Sequence, residues 1–449
     1  MRHYVPSRLL VTVAVVAATL GALFPSSGVL GNGTTDWPQI GFEAGRTGRN
    51  SLETTLSPGN VADLVEAWKA PLWVPERDFR ESLVDNSPVV AGGTVFLTTG
   101  GPYDQNAVAA FSRSDGALMW RTPLERIAAP PAVSDGTVYV NTLVEVVALD
   151  AATGDVLWNT TTVGGYCCDP RETAPPLVAG GQLFVTTLGT LWAIDRASGE
   201  VQWTTDTDDP FLLSRNAIES GPSAAGGRVF VMKGYERLAA FDAADGSRLW
   251  TSKLVRPWKG SNRWTNMPVT SGDVVFATIT REQRWRVFKG CLGAFDAASG
   301  DQLWLRNLRR PVDAMALSGE ILVAKVGDRK IFAFDATSGQ RLWTSPVSPL
   351  AYIGYERMGF LIDVESTLSV ANGVVFAGTS LGSQWNPRRR MGGVAAFDLT
   401  TGERLFWFQA VGPVPGSPAI VDGTLLFSCD TRRTSYNRQV GYLYAMTLP

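Results

Sequence analysis

Two cysteines stand side by side in the stretch Gly165-Tyr166-Cys167-Cys168-Asp169-Pro170, in a chain that has only four. A disulfide ordinarily spans Cα atoms roughly 4.4–6.8 Å apart, whereas consecutive Cα atoms sit about 3.8 Å apart. A bond between Cys167 and Cys168 would therefore close a small strained ring, and strain of that kind collects at functional sites. The alternative is a pair of free thiols, one of them reactive. Gly164, Gly165 and Pro170 suit a backbone held in an unusual turn, and the bridged form is the expected one. Cys291 and Cys429 stand singly and read as small buried residues.

The only histidine is His3. Beyond it the chain cannot assemble a Ser-His-Asp triad, a Cys-His pair, a histidine-ligated zinc or a CxxCH haem attachment. Paired carboxylates remain as the one hydrolytic chemistry that composition allows. A formal net charge of −2 gives the molecule no strong overall field.

The chain opens MRHYVPSRLLVTVAVVAATLGALFPSSG. Arg2, His3 and Arg8 form a basic start, Leu9 to Phe24 an apolar run, and small residues with Pro25 and Gly28 follow. This layout predicts a secretory signal peptide over 1–30. An uncleaved membrane anchor is the alternative, because the run approaches the length of a spanning helix. The protein is expected to be exported, to the periplasm, the cell surface or the medium, where thiols meet oxidising conditions.

The elements that must position these residues are repeats. VVALDAATGDVLW (146–158), LWAIDRASGEVQW (191–203), LAAFDAADGSRLW (238–250), LGAFDAASGDQLW (292–304) and IFAFDATSGQRLW (331–343) align directly. VAAFSRSDGALMW (108–120) and VAAFDLTTGERLF (394–406) are looser copies. A period near 40–50 residues marks a propeller or solenoid. Within each unit an alternating apolar strand runs into a D-x-x-[TS]-G turn, whose Asp bonds local amides and whose Gly supplies positive φ. The next strand carries the tryptophan. A further hairpin precedes each motif, as in PPLVAGGQLFVTT (175–187).

Each unit is thus four antiparallel strands without a helix, and radial packing buries both faces of such sheets. Eight first hairpins can be counted, but the last unit, GSPAIVDGTLLFSCD then GYLYAMTLP, lacks a tryptophan strand. NVADLVEAWKAPL (60–72) has one and lacks a hairpin. The expected fold is an all-β, eight-bladed propeller over 60–449. It follows an extended segment over 31–59, and the N-terminal strand completes the C-terminal blade and hides both edges.

The repeat A-x-D-x-x-[TS]-G-x-x-x-W resembles the docking motif of the pyrroloquinoline quinone (PQQ) dehydrogenases and their relatives, among them the outer-membrane assembly lipoprotein. Asp36-Trp37-Pro38, Gly41, Arg46-Thr47, Leu56-Ser57-Pro58, Asn60-Val61, Leu64 and Ala67-Trp68 are similar to the N-terminal segment of that superfamily. Its methanol-oxidising members carry vicinal cysteines followed by Asp near the quinone, and Cys167-Cys168-Asp169 matches in type and approximate position. The resemblance implies PQQ with calcium as a possible cofactor and Cys167 and Cys168 as cofactor neighbours. It also implies a glutamate and an asparagine as calcium ligands, with a catalytic aspartate nearby. Glu236, Asn262 and Asn266 fall near those places without the surrounding pattern, and the long insertions of the cofactor-bearing propellers are missing.

Sorting loops by face gives a second signal. The rim that bears Cys167 also bears Arg256, Trp258, Arg263 and Trp264, then Arg284, Trp285 and Arg286. Tyr355, Trp385, Arg388 and Arg389, and finally Arg432 and Tyr436, follow on the same rim. The opposite rim holds the tight carboxylate-bearing turns. Arginine and aromatics are favoured in interfaces, and arginine forks onto carboxylate or phosphate; long loops also carry charge simply to stay soluble. The expected function is a monomeric, non-catalytic binding or scaffold propeller. It would capture an envelope or extracellular protein, or an anionic ligand, on this rim, and not nucleic acid. The alternative is a quinone-dependent alcohol or sugar dehydrogenase.

Overall fold

The computed structural model describes residues 36–72, 87–99, 106–125, 127, 129–142, 144–162, 174–187, 189–205, 220–233, 237–253, 262–264, 266–283, 287–327, 330–347, 368–381, 391–429 and 441–449. Eight sheets follow one another along the chain, each ordered from an inner to an outer strand. We number the blades 1 to 8 by their first hairpins, beginning at Val89–Ala91 and ending at Ala419–Val421. The one helical element lying wholly among the described residues is a 3-10 turn at Val61–Asp63.

Blade 3 shows why the sequence folds this way. Leu177–Ala179, Gln182–Thr187, Thr190–Asp195 and Val201–Thr204 pair in chain order. Alternate residues Leu183 and Val185 pack toward blade 2, while Phe184 packs toward blade 4. At the D-x-x-[TS]-G turn, Asp195 Oδ1 accepts the amides of Ala197 and Ser198 at 3.0 and 2.9 Å. Gly199 has φ +77°, and an added Cβ would lie 2.7 Å from the ring of Trp158, in blade 2. The glycine is therefore required twice, by its own backbone and by the neighbour's tryptophan.

That contact repeats around the ring. Trp120 lies against Gly154, Trp203 against Gly246, Trp250 against Gly300, Trp304 against Gly339 and Trp343 against Gly402. The indole N–H of each donates to a carbonyl of the turn it covers, as Trp120 does to Ala151 at 2.9 Å. Trp158 departs from this pattern. The acceptor it would use, Arg196 O, receives the hydroxyl of Tyr139 at 3.2 Å, and the buried Trp158 N–H makes no hydrogen bond.

At the seam, Val65–Leu72 pairs antiparallel with Gly441–Thr447 as the outer strand of blade 8. Its Trp68 covers Gly116 of blade 1 and donates to Arg113 O at 2.9 Å. Blade 7 meets blade 8 differently, through Phe408, Phe427 and Tyr444. The largest apolar cluster spans this seam.

Two sheets exceed the expected four strands. Asn262–Trp264 adds a strand to blade 5, and Arg49–Asn50 pairs in parallel with the inner strand of blade 7. The second addition belongs to a belt formed by residues 36–50. The inner edge of each blade faces the axis with unpaired backbone groups, which need partners when buried. Belt residues supply them in turn. Val90, Val133, Ala224, Thr270, Leu317 and Val370 donate their amides to Trp37 O, Pro38 O, Ala44 O, Gly45 O, Thr47 O and Gly48 O at 2.7–2.8 Å. In blade 3, Val178 N donates to Gln39 Oε1 at 3.0 Å. In blade 8, Ile420 O accepts from Asn50 Nδ2 at 2.8 Å. All eight blades thus hold one segment of chain. Its crossings are close: a Cβ on Gly45 would lie 2.3 Å from Thr270 O.

Candidate functional site

The two rims differ in what their side chains are doing. On the turn rim the carboxylates serve their own turns. Amides of Thr153 and Ala152 hold the Asp150 carboxyl below its usual range, and those of Ser198 and Ala197 do the same for Asp195. The axial opening on this side is filled by the belt. Its Arg46 is fully buried and donates to Ile40 O at 2.7 Å, Pro176 O at 3.0 Å, Pro175 O at 3.1 Å and Pro222 O at 3.2 Å. These bonds tie the belt to blades 3 and 4. The turn rim is a structural face.

Most of the residues that sequence singles out on the loop rim lie outside the described residues. Cys167, Cys168, Arg256, Trp258, Arg284, Trp285, Arg286, Tyr355, Trp385, Arg388, Arg389, Arg432 and Tyr436 are all in that group. So are Glu236 and the apolar run 9–24; among the described residues no helix is long and apolar enough to cross a membrane. Arg263 and Trp264 are placed by their backbone, in the added strand of blade 5. Cys291 and Cys429 are buried, as expected, and neither is in a disulfide.

The placement of Asn262–Trp264 corrects a sequence expectation. The stretches 256–264 and 281–289 read as loops because they are polar and charged. In the structure the middle hairpin of blade 5 is built from Val274–Gln283 and Val287–Asp296, ten residues each. The corresponding strands of blades 1, 3 and 4 have six. Since Val274 pairs with Asp296 at the turn end, as Gln182 pairs with Asp195, all the extra length lies at the loop end. Four residues at about 3.3 Å each extend the hairpin by roughly 13 Å beyond the common strand length. Asn262 pairs with Arg281 and Trp264 with Thr280, so the added strand braces the extension. Backbone pairing with a neighbour overrides weak strand propensity here. Gln283 pairs with Val287, which leaves 284–286 as the connection between the two arms. Blade 7 has a milder version, with eight-residue strands Val374–Leu381 and Met391–Asp398.

Just inside the loop rim, one register of the second strand links blade to blade. It is occupied by Thr98, Asn141, Thr186, Met232, Thr278, Lys325, Gly378 and Ser428, each opposite the first apolar residue of the repeat motif. Asn141 Nδ2 donates to Thr186 O at 3.2 Å, the same register in the next blade. Lys325 Nζ likewise donates to Gly378 O at 3.1 Å. Sequence reasoning missed both this register and Arg46. The signal for the first was present, since a lysine interrupts an otherwise apolar strand in ILVAKV.

The quinone and calcium site finds no support in the donor set. Among the described residues no group of three or more His, Cys, Asp or Glu side chains is placed to hold a metal ion. Asn266 commits its amide nitrogen to Val312 O, at 2.5 Å, joining blades 5 and 6. The described residues do not make that site, and no step is derived through it.

The family model described as outer membrane protein assembly factor BamB matches residues 104–345 and, in an overlapping placement, 189–447. This chain belongs to that family. No curated protein is similar enough in sequence to count as a match. Among solved structures, a quinohemoprotein alcohol dehydrogenase from Comamonas testosteroni is 15% identical with a TM-score of 0.66, covering 92% of this chain and 80% of its own. BamB from Moraxella catarrhalis is 16% identical with a TM-score of 0.57, covering 86% and 98%. The computationally designed protein Ika8 is 14% identical with a TM-score of 0.55, covering 81% and 97%. A likeness shared by an oxidoreductase, an assembly factor and a designed protein carries the fold alone.

Proposed function

We propose that this protein is an exported, non-catalytic binding propeller that captures a protein partner of the cell envelope on its loop rim. The observation that carries the reading is the extended blade 5 hairpin, braced by Asn262–Trp264, on a propeller whose opposite rim is committed to turns and belt. Evolved loops that only connect blades need no such buttress; a rigid projecting element lowers the ordering cost of binding. The arginines and tryptophans at 263–264 and 284–286 are of the types that dominate binding energy at interfaces. Membership in a family described by an outer-membrane assembly factor points to the same compartment and class of work.

A photo-crosslinking residue at position 285, compared with one at Glu200 on the turn rim, tests the reading in the native envelope. A discrete adduct from 285 alone is expected. Equal labelling from both positions, or none from 285, would reject it. Retention of PQQ through desalting in the presence of calcium, with dye-linked oxidation of alcohols or sugars, would replace it with the dehydrogenase reading.

A further inference from the structure

At the register beneath the loop rim, the links from blades 2 and 3 to the next blade are made by neutral donors. Asn141 supplies one with an amide, and Thr186 supplies one with a hydroxyl, to Ser220 O at 3.2 Å. Lys325 supplies an ammonium. It is the only charged residue at this register in the eight blades, and it is 8% exposed. Its Nζ makes one hydrogen bond, to Gly378 O, and no ion pair with any described residue. An ammonium has three N–H donors and no acceptor capacity. Burying it against one neutral carbonyl is costly, and buried charges in proteins are normally paired.

The surroundings limit where a counter-charge can come from. Toward the turn rim, Val323, Ile331, Ala377 and Ala395 form a closed apolar cluster between blades 6 and 7. At the same register in blade 7, Gly378 has no side chain, and the place of a Cβ lies 2.7 Å from both Val414 O and Gly416 O. These neighbours are carbonyls, acceptors that lack negative charge. The strand of Lys325 ends one residue later, at Val326, on the loop rim.

We propose that Lys325 anchors a binding site for a small oxyanion, a carboxylate or phosphate group, which enters between blades 6 and 7 from the loop rim. The oxyanion supplies the negative charge that the carbonyl acceptors among the described neighbours lack. The site does not depend on the partner reading, because it needs no macromolecule and lies between blades 6 and 7 rather than on the blade 5 hairpin.

The test uses the full chain, with inorganic phosphate and acetate as separate probes at constant ionic strength. Isothermal titration should give one equivalent of at least one probe bound by the wild type. Lys325→Asn preserves the link to Gly378 in the manner of Asn141. It should melt at the wild-type temperature without anion and bind the probe at least tenfold more weakly. Phosphate binding without acetate binding assigns the site to phosphate groups, and the reverse assigns it to carboxylates. Should the variant fail to fold, acylation of the wild type by an N-hydroxysuccinimide ester decides. The bound probe should slow labelling of Lys325 at least fivefold while leaving Lys69 unchanged. Equal binding by Lys325→Asn, or no uptake of either anion by the wild type with no protection of Lys325, overturns the proposal.

Discussion

Replacing Arg46 with methionine tests whether the belt is held or merely laid in the channel. The side chain is fully buried and donates to four carbonyl oxygens, those of Ile40, Pro175, Pro176 and Pro222. Each buried acceptor left unmade costs about 1–3 kcal/mol, so four give an upper range of roughly 4–12 kcal/mol. Contacts sharing one group are not additive, and removing one member of a buried charged network typically costs about 3–5 kcal/mol. We therefore expect Arg46→Met to lose about 4 kcal/mol. Arg46→Lys keeps the charge but swaps a planar fork for a point donor, and should lose about 2 kcal/mol. Denaturant midpoints give the loss, and amide exchange localises it. The amides of Val133, Ala224 and Thr270 lie under the belt and should lose protection first. A midpoint within about 1 kcal/mol of wild type, with those amides still protected, would show that the belt is fixed by its backbone alone and that the Arg46 argument is wrong.

Tyr139→Phe frees Arg196 O for the Trp158 indole. Stability should change by less than about 0.5 kcal/mol at neutral pH, while the Trp158 indole N–H becomes more protected in exchange experiments. Burial raises the Tyr139 phenol above its ordinary value of 10.0. The folded state therefore resists ionisation, and stability is lost as pH climbs past 10. Tyr139→Phe should flatten part of that alkaline slope, and an unchanged slope would count against burial of the phenol. Gly199→Ala adds a Cβ at φ +77° and 2.7 Å from the Trp158 ring; a loss of about 2–3 kcal/mol in a thermal or denaturant melt is expected. Deleting residues 1–72 removes the belt and the outer strand of blade 8, and exposes the edge of Gly441–Thr447. The product should sediment as aggregate, and a soluble, cooperatively melting truncation would contradict the role given to the seam.

The blades were legible because each depends on local chemistry that repeats. Asp195, Gly199 and Trp203 encode a turn and the cover for the next blade's turn within one short motif, and seven copies, two of them looser, make the pattern unmistakable. The belt was not legible, since Gly45 and Gly48 satisfy partners hundreds of residues away and have no periodicity of their own. Arg46 looked like a family signature without a visible task. Its task is set by three proline carbonyls drawn from two blades. The blade 5 extension was hidden for another reason: Thr280, Arg281, Glu282 and Gln283 do not alternate in polarity, and they become strand by pairing with residues 287–290, with Asn262 and Trp264 pairing to Arg281 and Thr280 on the other side. Lys325 was readable as an oddity in ILVAKV, but the bond of its Nζ to Gly378 O in the next blade is a property of the packed interface.

The belt also sets a schedule for biosynthesis. Residues 36–50 leave the ribosome before any of the surfaces they bind, and their last partner, Ile420, comes some 370 positions after Asn50. Contacts of such separation form late, because loop closure must precede their reward. A chain interrupted before blade 8 can build its early blades, yet it cannot close the ring or seat the whole belt. Completion of the polypeptide is thereby registered in the fold itself, and unfinished copies keep their inner edges open to degradation.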